Sequence, residues 1–204
     1  MKAGWEVKPL GEVCDYSRGL TYKKSDEVEV SSNRVLRANN VDRVTSCLDL
    51  ADIKYIRDDF KVPVEKKTSR DAILICTASG SKSHLGKVAL VDTDEDYAFG
   101  GFMGLIMPKS DLLPKFLHFS MLSKSYTDFI EQCTDGANIN NLKFSQLSTF
   151  PIPIPPLAEQ KQIVAVLDAA FEGLTRAKDN AEANLQNARE LFESLAKQHF
   201  MEID

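Results

Sequence analysis

Four stretches of this 204-residue chain combine cations with amide and hydroxyl side chains. Thr21–Asp26 carries Lys23 and Lys24 beside an aromatic residue, and residues 31–43 carry Arg34, Arg37, Asn39, Asn40 and Arg43. Residues 77–87 carry Ser79, Ser81, Lys82, Ser83, His84 and Lys87, and residues 138–143 carry Asn138, Asn140, Asn141 and Lys143. Such a set suits recognition of a polyanion with polar edges, double-stranded DNA above all. Lys and Arg neutralise phosphates and position a domain, while Arg pairs bidentately with guanine and Asn with adenine. Each stretch taken alone is equally a solvated surface loop, because exposed Lys and Asn are ordinary. Asn39 and Asn40 also suit a turn, and Gly80 and Gly86 suit turn positions. The weight rests on the set and not on any one member.

Catalytic arrangements are poorly supplied. Cys76 with His84 and Asp92 is the one trio with the makings of nucleophile, base and orienting acid. Cys76, however, lies inside the apolar run ILICT (73–77), where a cysteine behaves as a small buried hydrophobe. The stretch ASGSKSHLGK (78–87) lacks the spacing of a phosphate-binding P-loop. No DPPY-like or NPPY-like motif and no glycine-rich cofactor loop occurs. His84, His118 and His199 are dispersed, and Cys14, Cys47, Cys76 and Cys133 contain no CxxC pair, so no metal site is expected. The expectation is a non-enzyme with no cofactor of its own.

The elements that must position these loops are read from periodicity. Residues 1–150 predict a mixed α/β domain. Its β-prone runs are Ile73–Thr77, Val88–Val91 and Phe102–Met107, and a helix is expected from Pro114 to Cys133, closed by Gly136. The run FPIPIPP (150–156) has proline at alternate positions, which enforces extended backbone and forbids helix. Residues 151–156 are expected to form a hinge. Residues 157–204 then change character: Gly173 is the one glycine, there is no proline, and Ala, Leu, Glu, Gln and Lys dominate. A heptad places Val164, Phe171, Lys178, Leu185, Phe192 and His199 on one seam position. Leu167, Leu174, Ala181, Ala188 and Leu195 take the other. This predicts a protruding helix of about 43 residues, roughly 65 Å long. A helix folded back on its own domain is the alternative.

The net charge of -5 is mildly adverse for a DNA binder. Its distribution softens that reading. Residues 1–150 hold 20 Lys+Arg against 21 Asp+Glu, and residues 151–204 hold 5 against 9, so most of the excess lies in the helix. Glu172, Asp179, Glu182 and Glu193 form an acidic outer face, either solvated or facing a basic partner. No signal peptide and no apolar run near the ~20 residues of a membrane span is seen, so a cytoplasmic, reduced-thiol protein off the membrane is expected.

The block FPIPIPPLAEQKQIVAVLDAAF (150–171) resembles the conserved region of type I restriction–modification specificity subunits, where a proline-rich strand, a Leu and a Glu-Gln pair open a long helix. Here these are Pro153–Pro156, Leu157, Glu159, Gln160 and Ile163. NLQNARELFESL (184–195) resembles the later part of that helix. GWEVKPLGEVCDYSRG (4–19), VLRANNV (35–41), RDAILICTASGSKSHLGKVALV (70–91) and GANINNLKFSQLSTFPIPIPP (136–156) resemble segments of a target-recognition domain. The resemblance implies a DNA-reading domain on a helix that forms an antiparallel coiled coil, paired through Val164, Leu167, Phe171, Leu174, Leu185, Phe192 and Leu195. It implies partners that do the chemistry: modification subunits with S-adenosylmethionine that methylate adenine, and a restriction subunit using ATP and Mg. Family members usually carry two recognition domains and two helices. This chain has one of each, so it corresponds to an N-terminal half or to a half-subunit that pairs with a second copy. The helix would then act as a ruler, spanning at most on the order of 19 base pairs, and a homodimer would read an interrupted palindrome. A scaffold protein oligomerising through its helix is the competing reading.

Overall fold

The computed structural model describes residues 4–134 and 141–200. In chain order the elements are β1 (Glu6–Pro9), α1 (Leu10–Val13), β2 (Cys14–Arg18), β3 (Glu27–Val28), β4 (Asn33–Leu36), β5 (Lys54–Ile56), β6 (Ile73–Cys76), β7 (Val88–Leu90), β8 (Ala98–Phe99), β9 (Met103–Pro108), α2 (Pro114–Ser120), α3 (Lys124–Thr134), α4 (Phe144–Leu147), β10 (Pro151–Ile154) and α5 (Leu157–Phe200). The three β-prone runs of the sequence become β6, β7 and β9. The mixed α/β class with a long C-terminal helix is as expected.

Two four-stranded sheets make the body. One has the order β2-β9-β6-β7 and is antiparallel throughout. The other has the order β3-β5-β4-β8, with β4 and β8 parallel. β6 is buried along its whole length, which is why it reads as an unbroken apolar run and not as an alternation. Leu74 and Cys76 of β6 pack in one cluster with Leu36 of β4, Phe99 of β8 and Leu105 of β9, so this cluster joins both sheets.

The proline-rich segment differs from expectation. Pro151–Ile154 pairs antiparallel with β1, and Ile152 and Ile154 are buried. Alternate residues of a strand point their N–H groups to the same side. With proline at 151 and 153 only one edge of this strand has donors, so it pairs once and terminates its ribbon. The expected hinge is therefore a paired strand, and the first compact unit runs on to Lys161, with the second beginning at Gln162.

The Glu-Gln pair belongs to the first unit. Gln160 is 0% exposed: its Oε1 accepts the Leu113 N–H (2.8 Å), and its Nε2 donates to the carbonyls of Asp111 (2.8 Å) and Pro155 (2.9 Å). Trp5 Nε1 donates to Glu159 at 3.0 Å. The first turn of α5 is thus locked by polar contacts. A second difference is the helix expected from Pro114 to Cys133, which is broken into α2 and α3. Ser123 Oγ accepts the Tyr126 N–H and so caps a new helix, a signal that an apolar periodicity overrides on paper. Gly136, expected to close it, lies outside the described residues.

Candidate nucleic-acid interface

Strand direction gathers the loops. β4 and β8 run parallel and end at Leu36 and Phe99, delivering Arg37 and Gly100 to the same rim. β9 runs antiparallel to β2 and β6, so the ends of those two strands meet its start at that rim as well. Hydrogen bonds then tie the emerging loops to one another. Leu20 N donates to Phe99 O, and Leu20 bridges Gly100. Thr77 N and Ala78 N both donate to Phe102 O, and Leu142 N donates to Thr77 O. Lys87 Nζ donates to Val41 O at 2.9 Å. Segments 20–24, 37–43, 77–87, 100–102 and 141–143 thereby form one connected surface.

A buried acid and a buried amide hold the first two loops in shape. Asp26 is buried; its carboxylate accepts the Lys23 N–H (2.8 Å) and Arg57 Nε (3.2 Å), which leaves Lys23 and Lys24 exposed. In the second loop Asn40 is 0% exposed. Its Oδ1 accepts the Arg37 N–H (2.8 Å), and its Nδ2 donates to the carbonyls of Asp49 (2.8 Å) and Asp52 (3.0 Å). Asn40 is therefore the keystone of its loop and is withdrawn from the set of contact residues. Asn39 and Arg37 stay at the surface and share Asp52, with Asn39 Nδ2 at 2.9 Å and the Arg37 guanidinium at 3.1 Å from its carboxylate. Arg43 is exposed.

The third loop is partly structural. Ser79 Oγ accepts the Ser81 N–H, and the exposed Ser81 and Ser83 hydroxyls bond at 2.8 Å. Lys82 lies in the 3₁₀ turn Lys82–His84. His84 is half-buried with its Nδ1 unpartnered, and desolvation together with Lys87 and Arg43 holds its pKa below the ordinary value. Lys87 is half-buried and its pKa is lowered, chiefly by burial. It braces the second loop through Val41. Asn141 and Lys143 are exposed, while Asn138 and Asn140 lie outside the described residues.

One expected residue is elsewhere. Arg34 sits within β4, level with Tyr55 of β5, and not in a loop. Its guanidinium stacks on the Tyr97 ring at 4.4 Å and pairs with Glu95. It faces the acidic run that follows β7, at the far end of β4 from Arg37. There Arg70 pairs with Asp94 and Lys67 with Asp96. Strand direction thus places an acidic end opposite the cation-bearing rim in a domain whose summed charge is nearly zero.

Sequence reasoning missed Phe102. It reads as the start of the strand FMGLIM, yet it lies on the turn before β9 and is 70% exposed. With Thr21, Tyr22, Lys24, Glu27, Arg37, Asn39 and Gly101 it lines a cavity of about 560 Å³ between the first two loops and its own turn. The glycine pair before it was the available signal.

Among the described residues, the nucleophile candidate of the sequence is withdrawn from this surface. Cys76 is 0% exposed, and burial pushes its thiol up to about 11, well away from a reactive thiolate. Among the described residues no group of three or more His, Cys, Asp or Glu is placed to hold a metal ion, and no helix is long and apolar enough to cross a membrane.

The family model described as type I restriction modification DNA specificity domain matches residues 2–185. The chain belongs to that family. It is 34% identical over 178 residues to the type I restriction enzyme EcoKI specificity subunit of Escherichia coli (strain K12), covering 86% of this chain and 38% of that one. It is 32% identical over 182 residues to the StySPI specificity subunit of Salmonella potsdam, covering 88% and 39%. The chain thus spans well under half the length of the curated relatives it matches. Among solved structures, the crystal structure of the HsdS subunit from Thermoanaerobacter tengcongensis matches with a TM-score of 0.62 at 20% identity, covering 92% of this chain and 43% of that one. A chain from a structural study of type I R-M complex assembly and conformational transition matches with a TM-score of 0.67 at 22% identity, covering 92% and 44%. These likenesses establish the fold.

Proposed function

We propose that this chain reads one short DNA half-site for a type I restriction–modification complex and leaves all chemistry to its partners. One observation carries the reading: loops from five separate segments are hydrogen-bonded into one surface, and Lys24, Arg37, Asn39, Arg43, Asn141 and Lys143 emerge from it. Cations on such a surface neutralise phosphates, and amides and guanidinium groups address base edges. Lys23 and Ser81 extend the same set, and Lys82 belongs to it by its place in the turn Lys82–His84, while Ser79, His84 and Lys87 support it from beneath.

The partners in this reading are duplex DNA, modification subunits that bring S-adenosylmethionine to an adenine, and a restriction subunit that uses ATP and Mg. The compartment is the cytoplasm. The helix Leu157–Phe200 supplies the spacer. Leu174, Leu185 and Phe192 are each more than half exposed on the predicted seam, which supports pairing with the helix of a second copy or of a second half.

The test is to express the chain with its genome's modification subunit in a methylation-free host and map methyladenine. A gapped, palindromic motif is the expected result for a pairing half. A DNA titration without sequence preference and without steep salt dependence overturns the reading in favour of a scaffold.

A further inference from the structure

We propose that Phe102 reads the methyl group of a thymine in the recognised half-site. The inference rests on the DNA-reading function proposed above and names a specificity-determining residue within it.

Three features of the turn argue for this role. First, the ring is displayed while the backbone is clamped. Phe102 O accepts three donors, the Thr77 N–H (2.9 Å), the Ala78 N–H (3.0 Å) and Thr77 Oγ1 (3.0 Å). Met103 N closes the turn onto Gly100 O at 2.8 Å, and Gly100 N is held by Leu36 O at 2.9 Å. Second, the turn is wedged against the exit of β2. A Cβ on Gly19 would lie 1.9 Å from Gly100 O, so neither backbone can shift without moving the other. A phenyl ring on such a turn stays where it is put and loses little freedom on binding. Third, the cavity it lines is mixed, with Lys24, Arg37 and Asn39 beside Leu20, Tyr22 and Glu27. An exposed phenyl ring that shares its cavity wall with cations suits an apolar spot on a polyanion.

Duplex DNA offers one such spot at its base edges, the thymine C5-methyl in the major groove, and Phe is among the side chains that contact it. Adenine methylation by the complex requires an A·T pair in the recognised sequence, so a thymine methyl is present in the site by necessity. Stacking on an opened base step would also cover the ring, but it needs distorted DNA, whereas the methyl is presented by undistorted duplex.

The test uses the chain assembled with its modification subunits and duplexes carrying the mapped motif, each thymine replaced in turn by deoxyuridine. The wild-type complex should lose about 3- to 5-fold in affinity at one thymine, the worth of one buried methyl. Phe102→Ala should bind the unmodified duplex at least that much more weakly and be indifferent to the replacement. Phe102→Leu, which keeps an apolar contact, should retain part of the sensitivity. Because the ring is exposed, both variants should melt with the wild type. Wild-type affinity and thymine sensitivity in Phe102→Ala overturn the assignment. So does an equal loss on motif and random duplex, or a rise in 2-aminopurine fluorescence that Phe102→Ala abolishes, which would mark a base-step wedge. Absence of any salt-dependent, sequence-preferring binding by the wild type instead overturns the DNA-reading function itself.

Discussion

At the scale of single residues, Asn39 and Asn40 are neighbours with opposite duties. Asn40 satisfies three backbone groups from a fully buried position, so Asn40→Ala leaves them without partners and should cost about 1–3 kcal/mol of stability, read as a lower urea midpoint. Asn39→Ala should move that midpoint by less than about 0.5 kcal/mol and appear instead in DNA affinity. The two amides are indistinguishable in sequence, because an Asn-Asn pair in a loop does not say which member turns inward. Lys23, Lys24 and Lys143 are exposed as their type suggests, since an ammonium group is costly to bury without a partner. Lys24→Ala and Lys143→Ala should each weaken binding to all duplexes alike and reduce the slope of log K against log salt by about 1. His118 gives a residue-scale test of pH. It is buried in α2, its Nε2 has no partner, and desolvation, with Lys115 nearby, holds its pKa below 6.5 against a bond to the Ser46 backbone that acts the other way. The unfolded chain therefore binds the proton more readily than the folded one. Stability should fall as pH drops below about 6.5, and His118→Leu should flatten that fall in urea titrations at pH 8 and pH 5.

At the scale of elements, the strands were legible where burial is two-sided and the run unbroken, as in β6, and the long helix was legible from its heptads. The break between α2 and α3 was not, because Ser123 competes locally with an apolar period that continues on both sides of it. The proline-rich segment was legible as extended backbone but not as paired. Pairing depends on β1, far away in sequence, presenting its edge to the one side that still has donors. The Glu-Gln pair shows the same limit. Gln160 reads as a surface helix residue by type, yet it is the most enclosed polar side chain at the start of α5. Gln160→Leu removes the partners of Leu113 N and two carbonyls and should cost about 1–3 kcal/mol. Gln160→Glu keeps the acceptor but places a carboxylate against those carbonyls and should be no better. An unchanged melting temperature for both variants would show the lock to be dispensable.

At the scale of the whole molecule, charge and exposed apolar surface are set by arrangement more than by composition. The recognition domain is nearly neutral in sum, and only strand direction separates its cation-bearing rim from its acidic end, so no count of residues could have shown it. The helix poses the opposite case, where the sequence pattern was plain and the proposed reading has a second helix cover its seam. Isolated helices owe little of their stability to propensity and most to packing of an apolar face, yet Leu174, Leu185, Leu191 and Phe192 are all more than half exposed along α5. Burying side chains of this size contributes about 1.5–3 kcal/mol each, ample to pair two such helices against the entropy of association. Sedimentation should therefore find the chain as a dimer at micromolar concentration. Replacing Leu174, Leu185 and Phe192 together with Gln should yield monomers whose recognition domain melts unchanged. If the proposed ruler is correct, that monomer still binds a single half-site by titration but loses the gapped, palindromic methylation pattern. A triple variant that stays dimeric would place the pairing surface elsewhere. A wild-type chain that is monomeric throughout would assign the seam to a second, different helix.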